Sequence, residues 1–202
     1  MIELSIIHVF LFFSLVLIQT IVGVGILVLG TPILLILNYN IVEAISILLP
    51  ISILTSVMNL IYFKFINKIQ ILGLGGKVKK SFFIICIPAI LFGTILLKYF
   101  YEIINFKILV SILILITLIA KKFFNDYLLK LSNLKKKVIL LVIGLVHGVS
   151  NSGGALLSIF ILNINKNLKA QTRYSLTFFY FFLAFLQYSI FSFFFKLIFF
   201  LI

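Results

Sequence analysis

Two stretches of the chain gather residue types that can hold a ligand inside an apolar protein. One reads Gln19-Thr20-Ile21-Val22-Gly23-Val24-Gly25, the other His147-Gly148-Val149-Ser150-Asn151-Ser152-Gly153-Gly154. Each sets amide, hydroxyl or imidazole groups beside closely spaced glycines. Glycine adopts positive φ readily and allows close approach to the backbone, whose N–H groups at a helix start bind anions. His147 can donate to an anion or titrate near neutral pH; an interhelical hydrogen bond is the structural alternative. Asn151 and Ser152 stand where a half-helix N-cap is expected, accepting from exposed amides or donating to a bound oxyanion. Gln19 and His147, Gly23 and Asn151, and Gly25 and Gly153 share one separation of 128 residues. The same ruler matches Asn59 with Gln187, two amides that face a cavity or bond across helices. The expected substrate-binding set is Gln19, Gly23, Gly25, Asn59, His147, Asn151, Ser152, Gly153, Gly154 and Gln187.

Other chemistry is poorly supplied. No pair of carboxylates falls within an apolar run, and two distant histidines with one cysteine make no metal-ligand cluster. Ser152 and His147 share one tight turn with no orienting acid, so a serine nucleophile is not expected. The reading is non-enzymatic, without metal or cofactor. Cys86, the only cysteine, reads as a small core residue and excludes an intrachain disulfide.

The elements that carry these residues belong in a membrane. Hydrophobic residues make up 64% of the chain and charged ones 10%, with a mean hydropathy of +1.36. Several apolar runs approach 20 residues, enough to cross about 30 Å of hydrocarbon as helix. Strand alternation is absent, which argues against a β-barrel. Met1-Ile2-Glu3 lacks a basic region and reads as mature sequence. The net charge of +13 does not mark a nucleic-acid binder, because the lysines sit in short connections where they set topology and meet anionic lipid.

Full spans are expected at 41–63, 81–97, 108–120 and 174–194, with Pro50 and Pro88 inside the first two. The basic connections 64–80 and 121–137 belong on the cytoplasmic side, and 98–107 outside. A full crossing over 138–162 would strand Lys166, Lys169 and Arg173 on the outside. A re-entrant hairpin of two half-helices, turning at mid-membrane, keeps them inside. The same logic makes 5–37 a hairpin from the opposite face. Each hairpin then aims the free N–H groups of its second half-helix at the midplane, an anion site without lysine or arginine. The structural alternative is that these glycines only allow close helix packing.

The fold class expected is an all-α integral membrane bundle of two inverted repeats, each a glycine-broken re-entrant hairpin plus transmembrane helices. Residues 1–128 form the first repeat and 129–202 a shortened second, lacking counterparts of the spans at 81–97 and 108–120.

Gln19-x-x-x-Gly23-x-Gly25 followed by Pro32, and the run from Gly144 to Gly154, resemble the paired signatures of the TauE/SafE family of sulfite and organosulfonate exporters. The resemblance implies a bacterial inner-membrane permease for sulfur-containing oxyanions or other small organic anions, with the glycine segments near substrate. The chain departs from the family pattern by lacking two final helices. Expected partners are a small anionic substrate, membrane lipids, and a second copy or completing subunit, but no nucleic acid. The competing reading is a non-transporting permease remnant or membrane assembly subunit.

Overall fold

The computed structural model describes residues 6–22, 26–66, 76–124, 132–164 and 169–195. Among them the regular structure is entirely helical: α1 (Ile6–Val22), α2 (Ile26–Ile36), α3 (Ile41–Ile61), α4 (Gly76–Phe100), α5 (Phe106–Phe124), α6 (Asn133–Ser150), α7 (Gly153–Ile164) and α8 (Lys169–Phe195). A π-turn over Tyr62–Ile66 prolongs α3. The stretches Ile41–Phe65, Val78–Phe100 and Lys169–Phe195 are long and apolar enough to cross a membrane, which makes this a membrane protein. The fourth expected span is weaker. In α5, Lys107, Lys121 and Lys122 leave only 108–120 free of charge, about 20 Å of helix.

Local chemistry sets the helix ends. The Asn40 side chain accepts from Glu43 N while Glu43 reaches back to Asn40 N, a complete capping box at the start of α3. Ser132 caps α6, so Lys135, Lys136 and Lys137 lie in its first turns rather than in a connection. Lys79 and Lys80 likewise lie in the first turns of α4. The basic segments are thus partly helical, a correction to the expected connections. Lysine is a good helix former, and its long stem lets the ammonium reach water from a helix end.

Both broken segments fold back on themselves. A Cβ placed on Gly30 in α2 would stand 3.3 Å from Leu15 in α1, so the two helices lie side by side. One placed on Gly153 would meet His147 Cβ at 2.6 Å, with the Ile143 carbonyl also in contact. The described parts of the first limbs span 17 and 18 residues and those of the second limbs 11 and 12. Gly148, near the end of α6, packs against Gly93 in the second half of α4, so that hairpin turns past the middle of its neighbour.

Side-chain contacts show where the hairpins open. His8 Nε2 meets the Tyr39 hydroxyl at 2.8 Å, and Lys107 Nζ donates to Asn38 Oδ1 at 2.8 Å. The outer ends of α1 and α2 therefore lie with the α4–α5 connection. Phe63 packs on Tyr174, and Phe82 on Phe179. This joins the end of α3 to the starts of α4 and α8, at the opposite end of the bundle. Gly144 faces Ala89 and Cys86, while Gly148 faces Ile90, Gly93 and Thr94, so α6 runs parallel to α4 and starts at that same end. Helices α6 and α7 consequently open opposite to α1 and α2.

The α4–α6 seam is built from small residues. A Cβ on Gly148 would come within 2.9 Å of Gly93 Cα and Thr94 N, and one on Gly93 within 2.6 Å of the Leu145 carbonyl. Ala89 and Gly93 on one helix thus mesh with Gly144 and Gly148 on the other, small residues four apart that bring backbones together. Cys86 is buried on this seam and its Sγ donates to the Leu140 carbonyl at 3.0 Å.

Candidate functional site

The turn between α6 and α7 is two residues long. Asn151 takes it with φ 62° and ψ 3°, the left-handed conformation that asparagine tolerates better than most residues, and its N–H closes α6 on the His147 carbonyl at 2.8 Å. Its side chain leaves the hairpin altogether: Nδ2 donates to Thr31 Oγ1 in α2 at 3.3 Å. Ser152 Oγ donates back to the Ser150 carbonyl at 3.1 Å. Neither side chain caps α7, contrary to expectation. Asn151 is committed to the end of α6, and a reversal this tight turns Ser152 back toward it.

Helix α8 supplies the wall facing this turn. Tyr180, Leu183, Ala184 and Gln187 recur at three- and four-residue spacing and are all buried, one face of the helix. Gln187 Nε2 donates to the His147 carbonyl at 3.0 Å and to the Gly148 carbonyl at 3.5 Å. The Tyr180 hydroxyl lies directly against Gly154, where any side chain would collide with it. Ser158 stands beside that hydroxyl with its own proton donated to the Gly154 carbonyl at 2.9 Å. Leu183 brings its backbone toward the His147 ring.

Within this region several polar atoms are fully buried and make no hydrogen bond of ordinary geometry. They are both ring nitrogens of His147, Asn151 Oδ1, Gln187 Oε1 and the Tyr180 hydroxyl. An unsatisfied buried polar group costs about 1–3 kcal/mol, so the group carries a substantial joint penalty. It offers an imidazole N–H and a phenol O–H as donors and two amide oxygens as acceptors. Neither lysine nor arginine is among these groups.

The first hairpin spends its polar groups internally. Gln19 Oε1 accepts from Ile26 N, the first amide of α2, at 3.3 Å. Its Nε2 donates to the Ser52 carbonyl at 3.3 Å and to Ser56 Oγ at 3.1 Å on α3. The expectation that this half-helix presents only free N–H groups is corrected, because Gln19 occupies one of them. Gly23 and Gly25 lie outside the described residues. Asn59 is buried on α3. The structure therefore brings His147, Asn151, Ser152, Gly153, Gly154 and Gln187 into one place and ties Gln19 to α2 and α3.

Thr31 and Tyr180 join the site without having been expected. Thr31 lies directly before Pro32 in an apolar run. Its completely buried hydroxyl donates to the Leu27 carbonyl at 2.8 Å and receives Asn151. Tyr180 lies in a phenylalanine-rich run, and nothing in its neighbours marks it out. Comparison of the chain with protein families, curated proteins and solved structures finds no match.

Helices α1 and α2, and helices α6 and α7, form two hairpins, each followed in the chain by a long helix, α3 and α8.

Proposed function

We propose that the chain is a multi-pass permease for small anions, of the sulfite and organosulfonate exporter type, working by alternating access in a bacterial inner membrane. Its hairpins are the re-entrant elements of two inverted repeats, and substrate sits where they meet. The observation that carries the reading is the buried, unpartnered polar group at His147, Asn151, Tyr180 and Gln187, joined to the other hairpin through Asn151 and Thr31. Hairpins that open at opposite ends add support, since transporters built on inverted repeats place substrate near such breaks.

The chemistry suits a singly charged or protonated oxyanion. The Tyr180 phenol and one His147 nitrogen donate to sulfonyl or sulfite oxygens. Asn151 Oδ1 and Gln187 Oε1 accept from a protonated oxyanion. Binding rests on hydrogen bonds in a water-poor site, where each is stronger than in water. The groups are buried, which corresponds to an occluded conformation, and release requires the hairpins to part at the Asn151–Thr31 contact.

The test is reconstitution of the full chain in vesicles, with flux of sulfite and of a short organosulfonate measured against protein-free vesicles. Saturable flux is expected. Asn151→Gly keeps the left-handed turn but deletes the amide, and is expected to lower flux at least tenfold while the protein stays folded. Flux no greater than that of empty vesicles overturns the proposal.

A further inference from the structure

Far from the hairpin contact, a cavity of about 560 Å³ opens between the parallel starts of α4 and α6. Its wall has two chemistries. Val78, Ile84, Ile85, Leu140 and Phe160 make an apolar surface, and Lys80, Lys136 and Lys137 stand with Ser81 and Asn133 at its polar part. No carboxylate is among these lining residues. Two of the chain's four acids are accounted for elsewhere among the described residues: Glu43 in the capping box of α3, and Glu102 accepting from the Tyr101 hydroxyl at 2.6 Å. Ser132 already satisfies an α6 amide, so the attraction for an anion rests on the three ammonium groups rather than on a bare helix end.

Three ammonium groups lining one pocket with no carboxylate among its lining residues attract an anion to it. A free anion would satisfy the lysines but leave the apolar wall unused. An amphiphile uses both, with its phosphate among the ammonium groups and its glycerol and upper acyl chains along Ile84, Ile85 and Phe160. Position agrees with this, since the pocket lies at the first turns of α4, whose apolar length is enough to cross a bilayer. Basic pockets between transmembrane helices recognise anionic headgroups in this way.

We infer that this pocket binds the phosphate headgroup of an anionic phospholipid from the leaflet that meets the starts of α4, α6 and α8. The site is separate from the hairpin contact and does not depend on the transport reading.

The test uses the full chain purified in detergent, with phosphatidylglycerol and phosphatidylcholine offered as competing probes. Native mass spectrometry counts bound lipid and thermal unfolding reads stabilisation. Phosphatidylglycerol is expected to bind preferentially. Replacing Lys80, Lys136 and Lys137 with glutamine should reduce that preference on the order of a hundredfold, at about a factor of five per lysine. A charge-matched control, Lys121→Gln with Lys122→Gln and Lys169→Gln, should retain most of it. In the unmodified protein the stabilisation by phosphatidylglycerol should shrink in high salt, a readout that needs no variant to fold. The assignment is overturned by equal loss in both triple variants, by no preference in the unmodified protein, or by full displacement of the lipid with inorganic phosphate, which would identify a free-anion site.

Discussion

The two hairpins share a plan and differ in how they use their polar groups. In the first, Gln19 ties α1 to α2 and α3 through Ile26 N, the Ser52 carbonyl and Ser56. In the second, the residue in register is His147, whose ring faces the Leu183 backbone without a hydrogen bond of ordinary geometry, and the amide that ties the hairpin to its long helix comes from the other side, Gln187 on α8. Among the described residues of the first hairpin, the Gln19 amide is fully bonded, whereas the second sets the His147 ring and Asn151 Oδ1 against Gln187 Oε1 and the Tyr180 hydroxyl of α8, none with a bond of ordinary geometry. Two hairpins of similar plan can differ in this way because hydrogen-bond capacity belongs to side chains.

The largest effect expected concerns orientation. With Cys86 replaced by alanine, single cysteines at Glu102 and Ser132 should react with an impermeant maleimide from opposite sides of oriented vesicles. Labelling from one side would abolish the contrast between the hairpins' openings. Next comes the seam that only the second hairpin possesses. Gly148→Leu forces a side chain into α4 backbone and should cost about 3 kcal/mol. Thr20→Leu, at the exposed position in register, should stay within about 0.5 kcal/mol. Equal changes in thermal unfolding would erase the difference.

A finer comparison sets Gln19→Leu against His147→Leu. The first leaves Ile26 N without its acceptor and removes two further bonds, so a loss of about 2 kcal/mol is expected. The second removes nitrogens that make no hydrogen bond of ordinary geometry and should change stability by less than about 1 kcal/mol, while lowering anion flux. If His147→Leu destabilises as much as Gln19→Leu, the imidazole is a strut as well and the asymmetry fails.

Much of this organisation was legible in the sequence. The glycine breaks anticipated both reversals, since a break in a helix is a local feature of the sequence. What failed was local detail at the turns. Asn151 and Ser152 look like an N-cap in sequence, yet the chain reverses so sharply that Asn151 closes the preceding helix instead. The helical start of α6 was also missed, because its first turn from Asn133 to Lys136 is a lysine-rich stretch that reads as connection.

From composition and order of residues alone came the membrane class, the helical makeup, the broken segments and their common spacing, all consequences of hydrophobic run length and of glycine placed within it. Tertiary structure alone decided that Asn151 meets Thr31 across 120 residues, that Tyr180 covers Gly154, and that Gln19 is spent while His147 is not. Those outcomes depend on which helix faces lie together, and a polar side chain in an apolar run reads the same whether packing gives it a partner or withholds one.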